Sequence, residues 1–339
     1  MASSSNPLAA DTNIVEETYG REGDSAYDSE VASYTTSLAS NVTDYKNENG
    51  RRYHAYKEGS YIYPNDEKES DRLDIVHKLV EVVLHGKLYL APIQNPARVL
   101  DIGTGTGIWA MEMGDQHPTA DILGNDLSPI QPRWVPPNVR FEVDDVEADW
   151  AYSQKFDFIH CRSMGTTIRD WPRLIKQCFE FTKPGGYCEF VDFDIAWTSP
   201  DNSVPEDSVT LKVNTQFIQA AKSMGIDPSP GPSMPNWCKE AGFTDIVQER
   251  FPLPVGTWPA DKHLKEVGAW NYLQIMEGLE AFTYAVFTRM LGYTKEEVEV
   301  MCATMRKEIR NPKLHSLFYL HVIYGKKPAE EREEGAAVA

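Results

Sequence analysis

The chain has 339 residues, with 33 Lys and Arg against 51 Asp and Glu, a formal charge of −18. That acidity excludes broad nucleic-acid binding, which needs a basic face to displace counterions, and the length supplies a large core without staples. Five scattered cysteines with no C-x-x-C pair exclude a disulfide framework or zinc knuckle and predict a reducing compartment. No leader-like start and no apolar run of about 18 residues is present, so neither secretion nor a membrane span is expected.

Residues 1–35 carry few large apolar side chains, and the first thirty hold seven acids against one Arg. Such a stretch cannot bury enough surface to offset its ordering entropy, so a disordered tail is expected, and 329–339 read the same way. Residues 43–63 interleave Tyr45, Tyr53, His54, Tyr56, Tyr61 and Tyr63 with basic residues. Asp66 and Glu69 then start a helix whose apolar positions, from Leu73 to Leu84, recur at helical spacing, with Gly86 to close it.

From residue 97 strands and helices alternate. Strands are predicted at 97–102, 121–126, 139–145, 156–161 and 186–193, with helices at 107–115 and 171–182. That order implies a parallel sheet with helices on both faces. A helix at 233–241, a strand at 245–251 and a last strand at 315–325 follow. Helical insertions at about 200–230 and 258–311 do not fit the alternation, and a lid over the sheet's carboxyl edge is expected of them. The second carries a capping box, Thr294 with Glu297, and stops before Asn311-Pro312.

The most informative stretch is Asp101-Ile-Gly103-Thr104-Gly105-Thr-Gly107 at a strand-to-helix turn. Glycines there let backbone approach a ligand, and the helix start offers free N–H groups. Gly105-Thr-Gly107-Ile-Trp-Ala110 also fits a dinucleotide variant, but that register leaves Asp101 and Gly103 inside the strand. In the other register Asp101 ends the strand, where a carboxylate suits an ammonium better than a pyrophosphate. This favours S-adenosylmethionine over NAD. Asp126 ends the second strand, where an acid can accept ribose hydroxyls. Asp144 and Asp145 end the third, where an acid can accept an adenine amino group. The eight histidines show no ligand-pair spacing, so no metal is expected.

At these residues the sequence resembles the class I S-adenosylmethionine-dependent methyltransferases, and more narrowly the fungal LaeA-like (UMTA or TAM-domain) family. Gly50-Arg-Arg-Tyr53-His54-Ala-Tyr56, Tyr61-Ile-Tyr-Pro64-Asn-Asp66-Glu67, Gly124-Asn-Asp126-Leu127-Ser-Pro129 and Ile159-His160-Cys-Arg162 carry the likeness, which covers roughly 34–328. It implies an α/β, Rossmann-like sheet of seven mostly parallel strands with the last antiparallel. It divides the chain into a covering segment with a helix at 36–95 and a methyltransferase domain at 96–328. It implies S-adenosylmethionine as methyl donor, S-adenosylhomocysteine as product, and a cofactor set of Asp101, Gly103, Thr104, Gly105, Asp126, Leu127, Asp145 and Val146, with Asp144 as the alternative adenine ligand. Arg162 either binds the cofactor carboxylate or an acidic substrate, or forms a surface ion pair. Tyr53 and His54 either cover the cofactor or pack on the first helix.

Family members divide between tailoring enzymes for natural products and regulators of secondary metabolism that associate with velvet-type proteins. A small apolar or aromatic acceptor is expected here, with methylation of protein, or of the chain itself, as the alternative. A cytoplasmic location is expected, with the nucleus as alternative. His160 is the first candidate for a general base, against a structural role; Glu189 and Asp192 are weaker candidates. Trp270 and Phe282 in the second insertion are candidates to line the acceptor site.

Overall fold

The computed structural model describes residues 46–48, 50–53 and 64–329. The two expected disordered tails, His54 and most of the aromatic segment before Pro64 lie outside the described residues, apart from Ala329. A short hairpin, β1 (Lys46–Glu48) with β2 (Arg51–Tyr53), precedes α1 (Glu67–Val83). Asp66 caps that helix through Glu69 N, and Arg51 ties the hairpin to the Asp66 carboxylate at 2.6 and 2.8 Å.

The sheet has seven strands: β3 (Arg98–Ile102), β4 (Asp121–Asp126), β5 (Val139–Val143), β6 (Phe156–Arg162), β7 (Thr182–Thr198), β8 (Thr244–Pro254) and β9 (Leu317–Lys326). Their spatial order is β5-β4-β3-β6-β7-β9-β8, and β9 runs antiparallel to both neighbours. The expected sheet is therefore the one formed. Between strands lie α2 (Ile108–Gln116), α3 (Trp171–Phe181), α4 (Val209–Ser223), α5 (Met234–Ala241), α6 (Lys262–Arg289) and α7 (Lys295–Ile309). Leu100, Ile102, Phe156 and Ile159 are fully buried, as strands covered on both faces require.

β7 is the element that builds the roof. Its partnership with β6 ends at Val191, yet it continues beside β9 to Thr198. This extended ribbon carries α4, α6 and α7 over the carboxyl edge, where their apolar faces join those of α1 and the ribbon in one cluster. Glu308 near the end of α7 caps α4 from outside. Its carboxylate accepts from Ser208 Oγ, Val209 N, Thr210 N and Thr210 Oγ1 at 2.6–2.9 Å, groups that the first turn of a helix leaves without partners.

Removing that trans-helix cap strands two backbone donors at the start of α4. Glu308→Ala is expected to lower unfolding free energy by about 1–3 kcal/mol, read as a drop in thermal midpoint; an unchanged midpoint would show that the cap carries no stability.

Candidate active site

The glycine loop joins β3 to α2. Asp101 is buried, with Oδ2 accepting from Thr104 Oγ1 at 2.6 Å and Oδ1 2.8 Å from His160 Nδ1. The His160 ring lies flat on Trp109 of α2, ring centroids 3.8 Å apart. Gly103 takes a left-handed φ of 65°, and a Cβ there would come within 2.3 Å of Met164 Sδ. Only glycine fits that turn while the Met164 sulfur presses against it.

Two residues that the sequence reading passed over hold this loop down. Asn125 accepts from Thr104 N with its carbonyl at 2.9 Å, and its side-chain amide donates to Tyr152 OH at 3.0 Å. Asp126 accepts from Gly105 N and Ser128 N, both at 2.9 Å. Burial raises its carboxyl above the usual range, and these N–H groups pull it back. Asp144 N donates to Asp126 O at 3.0 Å, so the ends of β4 and β5 are tied together. Asp144 and Asp145 follow side by side, Asp145 Oδ1 accepting from Glu147 N. Val146 is buried with its carbonyl bonded to the Trp150 indole and Gln177 amide, and half-buried Leu127 follows Asp126. The acids expected at three successive strand ends thus line one rim, joined to one another through backbone.

α1 closes the other side of the loop. Thr106 donates to Asp74 at 2.7 Å, and Asn65 reaches Ser128 Oγ at 3.4 Å. The Arg162 guanidinium, at the end of β6, has one hydrogen bond among the described residues, to His77 Nδ1 of α1 at 3.1 Å. Burial lowers its pKa, and the nearby charges of Asp101 and Glu112 oppose that. Burial first, then the Arg162 charge, push His77 down to about 3, so its ring is neutral and accepts from the arginine. Its Nε2 lies 3.1 Å from Glu112 Oε2 but off-line for a hydrogen bond. A half-buried arginine with no hydrogen-bonded carboxylate among the described residues, beside an acid and a glycine turn, fits a zwitterionic amino-acid group.

Beyond Met164 a cavity of about 170 Å³ opens between the carboxyl ends of β6 and β7 and the roof helices. Ile275, Leu279, Phe282, Thr283 and Phe287 line it from α6, at the i, i+4, i+7, i+8 and i+12 spacing of one helix face. Of the two aromatic candidates, Phe282 lies on this cavity wall. Trp270 does not: it lies about 140° around the helix from Ile275, half-buried against the apolar cluster and outside the lining.

His160 is also corrected. Its ring is enclosed between Asp101 and Trp109, Nε2 is buried without a partner among the described residues, burial lowers its pKa, and it does not line the cavity. It positions Asp101 and has no access to an acceptor. Tyr53 is buried in the apolar cluster, with the Arg289 guanidinium 4.7 Å above its ring; of its two expected roles, packing is the one observed. Glu189 is fully buried, and its Oε2 accepts from Leu90 N and Ala91 N at 2.8 and 2.6 Å, with Oε1 unpartnered among the described residues. Asp192 reaches the cavity wall.

A family model described as a methyltransferase domain matches residues 75–249. The chain is 48% identical over 295 residues to methyltransferase pytC of Aspergillus terreus, covering 86% of this chain and 91% of that one. It is 34% identical over 299 residues to secondary metabolism regulator laeA of Aspergillus flavus, covering 86% and 80%. It is 34% identical over 286 residues to protein-methionine methyltransferase laeA of Emericella nidulans, covering 83% and 76%. The chain belongs to this LaeA-like family of class I methyltransferases and is an S-adenosylmethionine-dependent methyltransferase.

Burial raises Glu189 to about 7, against the two backbone N–H groups. A folded-state pKa above the unfolded one contributes stability below about pH 4.5 that is lost as pH rises towards 7. Glu189→Gln keeps an acceptor for Leu90 and Ala91 and removes the titration. Relative to wild type it is expected to gain about 1–3 kcal/mol between pH 5 and pH 8, measured by denaturant unfolding; a pH-independent difference would contradict the buried ionisation.

Proposed function

We propose that the protein transfers a methyl group to a small, flat, largely apolar acceptor in fungal secondary metabolism. The observation that carries this reading is the cavity beyond Met164: it is enclosed by roof helices, lined mainly by aliphatic and aromatic side chains, and adjoins the glycine turn. The naming of the Aspergillus terreus relative as a methyltransferase, and of others as secondary metabolism regulators, supports the same setting.

S-adenosylmethionine, when bound, supplies an electrophilic methyl on a good leaving group. The chain's own part is then mainly placement of donor and acceptor in line. In this reading Asp101 and the Gly103–Gly105 backbone hold the ammonium end and Arg162 takes the carboxylate. Asp126 with Leu127 takes the ribose, and Asp145 with Val146, or Asp144, takes the adenine. The two Asp101 hydrogen bonds orient its carboxylate before any ligand arrives. Roof helices keep water from the transfer.

A second reading is transfer to a thioether of the chain itself. Met164 Sδ presses on the glycine turn, and the Emericella nidulans relative is named for methionine as its substrate. That reading brings with it a velvet-type protein partner and a nuclear location, whereas the first fits the cytoplasm.

Labelled methyl transfer separates the two. Incubation with labelled S-adenosylmethionine and fungal extract is expected to put label in the organic-soluble fraction, and Asp101→Ala is expected to abolish it. Label confined to the protein and lost in Met164→Leu would replace the first reading by the second.

A further inference from the structure

The roof helices line the cavity mainly with apolar side chains, whereas Ser163 and Asp192 line it near the glycine loop. Ser163 follows Arg162 directly and precedes Met164. It is a non-glycine residue at a left-handed φ of 59°, a conformation that L side chains adopt at a cost and that collects at functional sites. Ser163 lines the cavity, and its hydroxyl is buried with no hydrogen-bond partner among the described residues. Folding alone explains neither feature: glycine would relax the backbone, and a bonded hydroxyl would relieve the burial.

Asp192 lies on the same wall. Its Oδ2 accepts from Met164 N and its Oδ1 from Phe193 N, both at 2.8 Å. A Cβ on Gly165 would come within 2.8 Å of Oδ1, so the loop is stripped of a side chain where it meets this carboxylate. His321 is its cross-strand partner on β9 and has a buried, unpartnered Nε2. Ser229, next to the cavity-lining Pro228, also has a buried, unpartnered hydroxyl. Unmade hydrogen bonds on buried groups are destabilising. Ser163 shares the cavity wall with Asp192, and His321 pairs with Asp192 across the strands; together they mark a site built for a polar group.

We infer that Ser163 and Asp192 bind and deprotonate a hydroxyl of the acceptor, which makes the acceptor a phenol or enol carried on a flat apolar body. The hydroxyl oxygen accepts from Ser163 Oγ and donates to Asp192. As the oxygen's lone pair forms the bond to the methyl carbon, the carbon–sulfur bond of the donor breaks, with its electrons going to sulfur. The hydroxyl proton passes to Asp192, which returns it to solvent after product leaves. Burial raises this carboxyl to about 7, within reach of taking and giving a proton at neutral pH.

This assignment rests on the small-acceptor reading, and the test separates the two. The protein saturated with S-adenosylhomocysteine is titrated with 2-naphthol and with 2-methylnaphthalene, which replaces the hydroxyl by a methyl of similar size. Apolar burial alone favours the methyl compound. Wild type is expected to bind 2-naphthol at least about tenfold tighter. Ser163→Gly and Asp192→Asn are each expected to erase most of that preference while leaving 2-methylnaphthalene affinity unchanged. Ser163→Gly is also expected to raise the thermal midpoint, because the strained backbone relaxes, so it stays informative if Asp192→Asn loosens the loop. Binding of both probes with the preference absent from wild type, or retained in Ser163→Gly, would overturn the assignment alone. Binding of neither probe, with S-adenosylhomocysteine still bound, would overturn both it and the small-acceptor reading.

Discussion

The structure depends on one buried carboxylate. Asp101 is 2% exposed, at the end of the central strand, and is held in place by the Thr104 hydroxyl and the His160 ring. A lone carboxylate so placed would be costly. Two hydrogen bonds offset that cost and fix its orientation. The surrounding parts follow from keeping it there: Trp109 lies flat on His160, Asn125 pins Thr104, and the turn at Gly103 leaves room for Met164. Arg162 ends the neighbouring strand β6, and among the described residues its guanidinium hydrogen-bonds to the neutral His77 ring and to no carboxylate. The site therefore sets a carboxyl group and a guanidinium at neighbouring strand ends, a pairing that fits an amino-acid zwitterion.

The second constraint is the length of β7. A strand that stopped with β6 would leave the carboxyl edge open. Continued beside β9, it raises a ribbon on which the two helical insertions pack, and α1 folds over from the other end of the sequence. The glycine-loop rim and the cavity then meet at Ser163–Gly165, the loop after β6. Met164 touches the glycine turn and Ser163 faces the cavity within that three-residue stretch. Ser163 there combines a left-handed φ with a buried hydroxyl that has no partner among the described residues, unlike the well-bonded cap at Glu308. Such a distribution is expected where binding, not folding, completes the hydrogen bonds.

Much of this was legible in the sequence. Strand and helix periods, the Asp66 cap and the Thr294–Glu297 box place the elements within a few residues, because apolar spacing and local caps are short-range signals. The acids at 101, 126 and 144–145 could be found because strand ends in a parallel sheet converge on one edge. What failed did so for long-range reasons. Strand alternation puts His160 near an edge but cannot say that Trp109 covers it. Aromatic content marks Trp270 and Phe282 equally, and only the phase of α6 against the cavity separates them. Ser163 gives no sequence signal: a serine after a strand is ordinary, and its positive φ and unpartnered hydroxyl exist only in three dimensions. Asn125 and Tyr152 act through hydrogen bonds across a turn that no local pattern announces.

In the proposed reading Asp101 and Arg162 form a pre-built site for the amino-acid end of the cofactor. Calorimetric titration of wild type and Arg162→Gln with S-adenosylhomocysteine and with 5′-methylthioadenosine tests it, because the second ligand lacks the amino and carboxyl groups. The account predicts that Arg162→Gln weakens S-adenosylhomocysteine at least about tenfold, as expected for a charge-assisted hydrogen bond, and leaves 5′-methylthioadenosine unchanged. Equal loss for both ligands, or no loss for either, would contradict it.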